Sequence, residues 1–175
     1  MNRKGLILVY TGDGKGKTTA AMGLALRAAG QGLTVLVLQF MKCNENIGEY
    51  KGLVKSGLPI TLQQHGRRVF FRTRTCEPMD IHRAQQGLEA FKTAMQSRAY
   101  DLIVLDEINM AIHFGLLDIA EVTEAIAQKP PELHLVLTGR KAGQKLIDMA
   151  DLVTEMREIK HHYHQGVPAQ RGIEF

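Results

Sequence analysis

Cysteine is scarce in this sequence: Cys43 and Cys76 are the only two, and they form neither a C-x-x-C pair nor a zinc-ligand spacing. A thioredoxin-type redox motif and a zinc ribbon are thereby excluded, and reduced thiols in a cytosolic protein are expected. Long apolar runs are missing too. Nothing approaches the ~20 consecutive apolar residues that a membrane-spanning helix needs. The run Leu6 to Tyr10, after a basic N-terminus, is too short for a signal-peptide core and leads into a glycine loop instead of a cleavage site. There is no Lys/Arg run of the kind that forms a nucleic-acid tail, and no linker, repeat or low-complexity tract. These absences leave one domain over residues 1–175, expected to be soluble and cytoplasmic, with no membrane partner.

What is present looks like an ordinary globular chain. Hydrophobic residues make up 45% and charged ones 23%, close to average usage. A chain of 175 residues is long enough to bury roughly 70% of the surface that it exposes unfolded. The formal charge of +4 and pI near 9.1 favour anionic partners, among them phosphates, nucleic acid and acidic cofactors.

Apolar runs alternate with helical patterns. Residues 6–10 (LILVY), 34–40 (TVLVLQF), 101–105 (DLIVL) and 133–138 (LHLVLT) are short runs rich in Val, Ile and Leu without polar alternation, which is how strands covered on both faces of a parallel sheet read. Residues 60–64 form a weaker strand, and 152–156 a plausible edge. Helices are expected over 17–29, over 80–98 with Asp80 as a cap, over 117–128 with Asp118 and Glu121 as a capping-box pair, and over 142–150. The alternation predicts a three-layer α/β fold with a mostly parallel central sheet and right-handed crossovers. Residues 42–79 are the least regular and suit a lid or a substrate loop.

The chemistry concentrates at TGDGKGKTTA, residues 11–20. The phosphate-binding pattern G-x-x-x-x-G-K-[ST] is met except at its first position, where Thr11 stands for glycine. The loop follows a strand and opens a helix, the context that the motif requires. Backbone amides of Gly12, Asp13, Gly14, Lys15, Gly16, Lys17 and Thr18 can wrap phosphate oxygens, helped by the helix N-terminus. Lys17 supplies a full charge, the Thr18 hydroxyl can ligate Mg²⁺, and Thr19 in the first helical turn can touch a phosphate. The second signal is DLIVLDEIN, which delivers Asp106 and Glu107 to the carboxyl edge of the sheet, where ligands of open α/β folds bind. One carboxylate can hold Mg²⁺ there and the other can organise its surroundings. A third signal is LTGR: Thr138 and Arg140 follow the next strand and can reach the phosphates, with an exposed turn as the open alternative. In the tail, His161, His162 and His164 stand beside Lys160 and Tyr163. Adjacent histidines on an extended chain diverge, so a segment that closes over an anionic or planar ligand fits better than a metal site. Val167, Ile173 and Phe175 offer that tail something to bury.

From Leu6 to Phe175 the chain resembles the P-loop ATP:corrinoid adenosyltransferases of vitamin B12 biosynthesis and salvage. TGDGKGKTTAA, VLDEIN, LTGR and the closing K-H-x-x-x-x-G-x-x-A-Q-x-G-I-E-F carry the resemblance, and their joint order is highly specific. It implies a P-loop NTPase fold of RecA-like type, ATP as cosubstrate with Mg²⁺ (or Mn²⁺), a corrinoid substrate, a reduced flavoprotein as electron donor, and a homodimer. It further implies that ATP lies reversed in the cradle, so that Co(I) attacks the ribose C5′ and expels triphosphate. Lys17, Thr18 and Glu107 would then serve the reaction, with Thr18, Asp106 and Glu107 around the metal. Phe70 and Phe71, in GRRVFFR, are candidates for the corrinoid's lower face, a region where some members carry a Trp that this chain lacks. The cobalt-ligating pattern D-x-H-x-x-G fails at Gln85, which suits an enzyme that avoids a His ligand. Two other classes fit parts of the sequence: a RecA-like ATPase module, favoured by the clustered Arg67, Arg68, Arg72 and Arg74, and a small-molecule kinase with 42–79 as its lid.

Overall fold

A computed structural model describes residues 4–67 and 76–174. Six strands form one sheet in the order β3-β2-β4-β5-β1-β6: β1 (Ile7–Thr11), β2 (Val35–Phe40), β3 (Ile60–His65), β4 (Leu102–Asp106), β5 (His134–Thr138) and β6 (Leu152–Glu155). Every neighbouring pair is parallel, and β2 meets β4 in the register Gln39↔Asp106. In a parallel sheet all carboxyl ends fall on one edge. That edge therefore collects the residues after β1, β2, β4 and β5.

Helices cover both faces, which is why the central strands are apolar throughout. Val35, Val37, Leu102, Val104 and Val136 pack beneath α1 (Lys17–Gly30), whose buried face is Ala21, Met22, Ala25, Ala28 and Ala29. The alternate residues Leu36, Leu38, Phe40, Ile103 and Leu105 face the other layer. There they meet Leu88, Phe91 and Met95 of α3 (Pro78–Ser97) and Val122 and Ile126 of α5 (Ile119–Ala127). Truncating a fully buried aromatic such as Phe91 would cost about 3–5 kcal/mol through lost burial and the void left behind. The expected edge strand is β6, and all four of its residues are exposed.

Four local details differ from the sequence reading. Asp80 is not the cap of α3: Glu77 is, and Asp80 closes the capping box from the third helical position while accepting from Arg67. Asp118 does cap α5 by accepting from the Ala120 amide, but Glu121 turns away to Lys92 and Gln85 instead of completing a box. The region 42–79 holds a helix, α2 (Gly48–Ser56), beside β3. A six-residue helix, α4 (Ile108–His113), begins directly after the acidic pair. The last short helix, α6 (Gln144–Met149), precedes β6.

Candidate functional site

The loop between β1 and α1 is shaped by glycines that no other residue can replace cheaply. Gly12 has φ 92, and a Cβ there would lie 2.4 Å from the Met156 carbonyl oxygen. A Cβ on Gly14 would meet the backbone of Arg157 at 2.7 Å, and the Gly14 amide donates to the Met156 carbonyl over 2.7 Å. The chain just beyond β6 thus presses against the outside of the loop, so the glycines serve backbone contact as well as curvature. Lys17, at the start of α1, is buried and donates to the carbonyls of Gly12 at 2.7 Å and Gly14 at 2.6 Å. Burial, and then the nearby Arg140 charge, lower its ammonium pKa. Its charge is therefore poorly compensated, as a group waiting for an anion would be.

Across the edge, Asp106 at the end of β4 is fully buried and accepts four hydrogen bonds. Thr18 and Thr138 donate to Oδ1 at 2.9 and 2.7 Å, and Gln39 and Lys42 donate to Oδ2 at 3.0 and 2.7 Å. Burial alone would raise this carboxyl, but the Lys42 charge and the hydroxyl donors outweigh it and hold the pKa below the usual range. Asp106 is a saturated acceptor. Its neighbour Glu107 is different: it takes a left-handed φ of 65, fixed by its amide donating to the Thr138 hydroxyl at 2.9 Å. Its carboxylate accepts no hydrogen bond from a described residue. It lies over Gly139, where a Cβ would come 3.3 Å from Oε2. Burial, and then the Asp106 charge, push its pKa up.

One cavity of about 590 Å³ joins these groups, lined by residues 13–19, Glu107 and Arg140, with Lys42 and Glu49 from beyond β2 and His161 and Glu174 from the tail. All the loop residues expected from sequence line it except Gly12, which contributes its carbonyl to Lys17 instead. Lys15 turns to the tail at the cavity wall. Its ammonium donates to the Ile173 carbonyl and lies 3.3 Å from Glu174. The described tail is held by such polar contacts; Val167 and Ile173 are exposed and not buried as expected, and Phe175 lies outside the described residues. Phe70 and Phe71 lie outside the described residues. Sequence reasoning missed Lys42. The signal that could have found it is its place just past β2, next to β4 on the shared carboxyl edge.

Such a loop at the head of a strand, with an acidic strand end beside it on a parallel sheet, defines a P-loop nucleotide-binding protein. Comparison with known families narrows this. The family ATP:corrinoid adenosyltransferase BtuR/CobO/CobP matches residues 3–175, and the chain belongs to it. A corrinoid adenosyltransferase of a Sinorhizobium species is 38% identical over 99% of this chain and 82% of its own length. Corrinoid adenosyltransferases of Pseudomonas aeruginosa and Escherichia coli K12 are 34% and 33% identical, each over 99% of this chain and 85% and 87% of their own lengths.

Proposed function

We propose that this protein transfers the 5′-deoxyadenosyl group of ATP to the Co(I) of a corrinoid and releases intact triphosphate. The observation that carries the reading is the pairing of an unneutralised Lys17 in the glycine cradle with an unengaged Glu107 across the same cavity. A cobalt lone pair forms the Co–C5′ bond while the C5′–O5′ bond breaks. Its electrons leave on the triphosphate, and cobalt passes formally from Co(I) to Co(III). No proton moves, so the chain needs no general base. It must orient ATP and stabilise the charge that grows on the leaving group. Lys17, the amides of residues 12–18 and Arg140 supply that stabilisation, with Thr19 at the rim.

The residues present suit a hard cation. Among the described residues no group of three His, Cys, Asp or Glu side chains could hold a metal by itself. The Thr18 hydroxyl and the Glu107 carboxylate are nevertheless oxygen donors on one cavity, and Mg²⁺ completes its shell with phosphate oxygens and water. Bound there, Mg²⁺ would neutralise triphosphate charge. Asp106, with its oxygens already engaged, acts through Thr18: by accepting the hydroxyl hydrogen bond it turns the Thr18 oxygen into an acceptor, and with Lys42 donating to it one lone pair remains for a cation. A cytoplasmic setting, a reduced flavoprotein donor and a homodimer are proposed from the family resemblance, and no described helix is long and apolar enough to cross a membrane.

The test is anaerobic incubation with ATP, Mg²⁺ and chemically reduced cobalamin. The reading requires the spectrum of a light-sensitive cobalt–carbon product. ATP breakdown with no such product would overturn it.

A further inference from the structure

Lys42 has no part in the scheme above, yet its side chain lines the same cavity as the loop and comes from another strand. Its position is built. Met41 takes a left-handed φ of 60, a conformation disfavoured for a side chain of its kind, and is held there as its amide donates to the His65 carbonyl at 3.1 Å. The turn sends Lys42 from the end of β2 towards α1. Its ammonium donates to Asp106 Oδ2 at 2.7 Å and to Thr18 Oγ1 at 3.2 Å.

We propose that Lys42 is a second triphosphate-binding lysine, anchored by Asp106 and working with Lys17. This rests on the adenosyl-transfer reading and deepens it, by naming a further residue that grips the leaving group.

Three observations lead there. First, an ammonium has three N–H donors. Two are used, and the third has no acceptor among the described residues, although the side chain borders the cavity. Second, Thr18, Thr138 and Gln39 also donate to Asp106, so the lysine serves it chiefly as the counter-charge of a buried carboxylate. That duty engages one N–H of the ammonium and leaves the others to face the loop. Third, the ammonium lies within hydrogen-bond distance of Thr18, in the first turn of α1, where the loop amides turn towards a phosphate. A phosphate oxygen seated on those amides falls within reach of Lys42 without any movement of the backbone. Asp106 holds the flexible lysine stem in one place, which lessens the side-chain ordering needed when the anion arrives. The triphosphate is thus gripped between Lys17 from the loop and Lys42 from β2, which suits a reaction that expels the whole chain of phosphates.

The experiment is calorimetric titration with inorganic tripolyphosphate, in Mg²⁺ and again in EDTA, using wild type, Lys42→Met and Lys42→Arg. Lys42→Met is expected to bind about tenfold or more weakly, the effect of removing one charged hydrogen bond. Lys42→Arg should recover part of the loss. The deficit should persist in EDTA, because the contact does not run through the metal. Because Lys42→Met leaves Asp106 unpaired, the same titration compares Asp106→Asn with Asp106→Asn/Lys42→Met, and the added substitution should again weaken binding. Equal affinities within twofold in both comparisons, or a deficit that vanishes in EDTA, would overturn the assignment of Lys42 alone. Wild type that binds ATP but ignores tripolyphosphate would overturn the assignment of Lys42 to the leaving group, and wild type that binds neither would count against the adenosyl-transfer reading as well.

Discussion

The Lys15 ammonium, inside the glycine loop, lies 3.3 Å from Oε1 of Glu174, next to last in the chain. His162 approaches the same oxygen at 3.5 Å, and the Gln170 amide donates to the other at 2.7 Å. The described part of the tail is thus fastened to the nucleotide loop by ionic and backbone contacts, while its Val167 and Ile173 stay exposed. Partly exposed pairs of this kind each contribute about 0–1 kcal/mol. Deleting residues 161–175 should therefore shift the melting temperature by only a few degrees and weaken ATP or corrinoid binding at least several-fold. Early melting with aggregation would make the tail a structural element.

Lys17→Ala should lower adenosyl transfer by about a hundredfold or more, the scale for losing one preorganised group that stabilises transition-state charge. The fold should tolerate the change, because burial already works against the charge of Lys17. Formation of the cobalt–carbon product, followed by its absorbance, is the measurement, and activity within a few-fold of wild type would contradict the role.

Glu107 gives a pH signature. Its folded pKa is raised, so the folded state holds this proton to higher pH than the unfolded chain does. The stability that it contributes is complete below the ordinary glutamate range and is lost as pH rises through the raised value. Glu107→Gln should therefore melt higher than wild type at neutral pH without ligand, with the gap closing as the solution is acidified. The same variant should lose Mg²⁺-dependent ATP binding. Melting curves from pH 4 to 8, about the window that spans both carboxyl states, give the sign directly.

Asp106→Asn should be destabilising by about 1–3 kcal/mol, because a buried carboxylate that accepts four hydrogen bonds is replaced and half-buried Lys42 loses its counter-charge. Adding Lys42→Met should restore part of that loss. Denaturant titration of the two single variants and the double one measures the coupling; strictly additive losses would show that the pair is not the anchor described.

Gly12→Ala should reduce both stability and nucleotide affinity, since the new methyl would sit 2.4 Å from a backbone oxygen that β6 pairing holds in place. Thermal melting and ATP titration read the two effects.

Much of this architecture is legible in the chain because buried parallel strands carry their signal locally. LILVY, VLVL and LIVL are apolar on every residue, and each run ends close to where the site begins. The phosphate loop is legible for the same reason, as its glycines and lysine are contiguous. Lys42 is not, since its partners Thr18 and Asp106 are far away in sequence and meet it only through β2–β4 pairing. The cap of α3 was misread because Asp80 and Glu77 are both acidic and three apart, and only the packing of Arg67 between them separates their roles. The tail was misread because Val167 and Ile173 look like core, while the charges of Lys15 and Glu174 decide how it lies.

The most direct test of the central claim is phosphorus NMR of an anaerobic mixture of the protein with ATP, Mg²⁺ and reduced cobalamin. Displacement at C5′ predicts inorganic triphosphate as the first phosphorus-containing product, appearing in step with the alkylated corrinoid. ADP and orthophosphate as the primary products would contradict it.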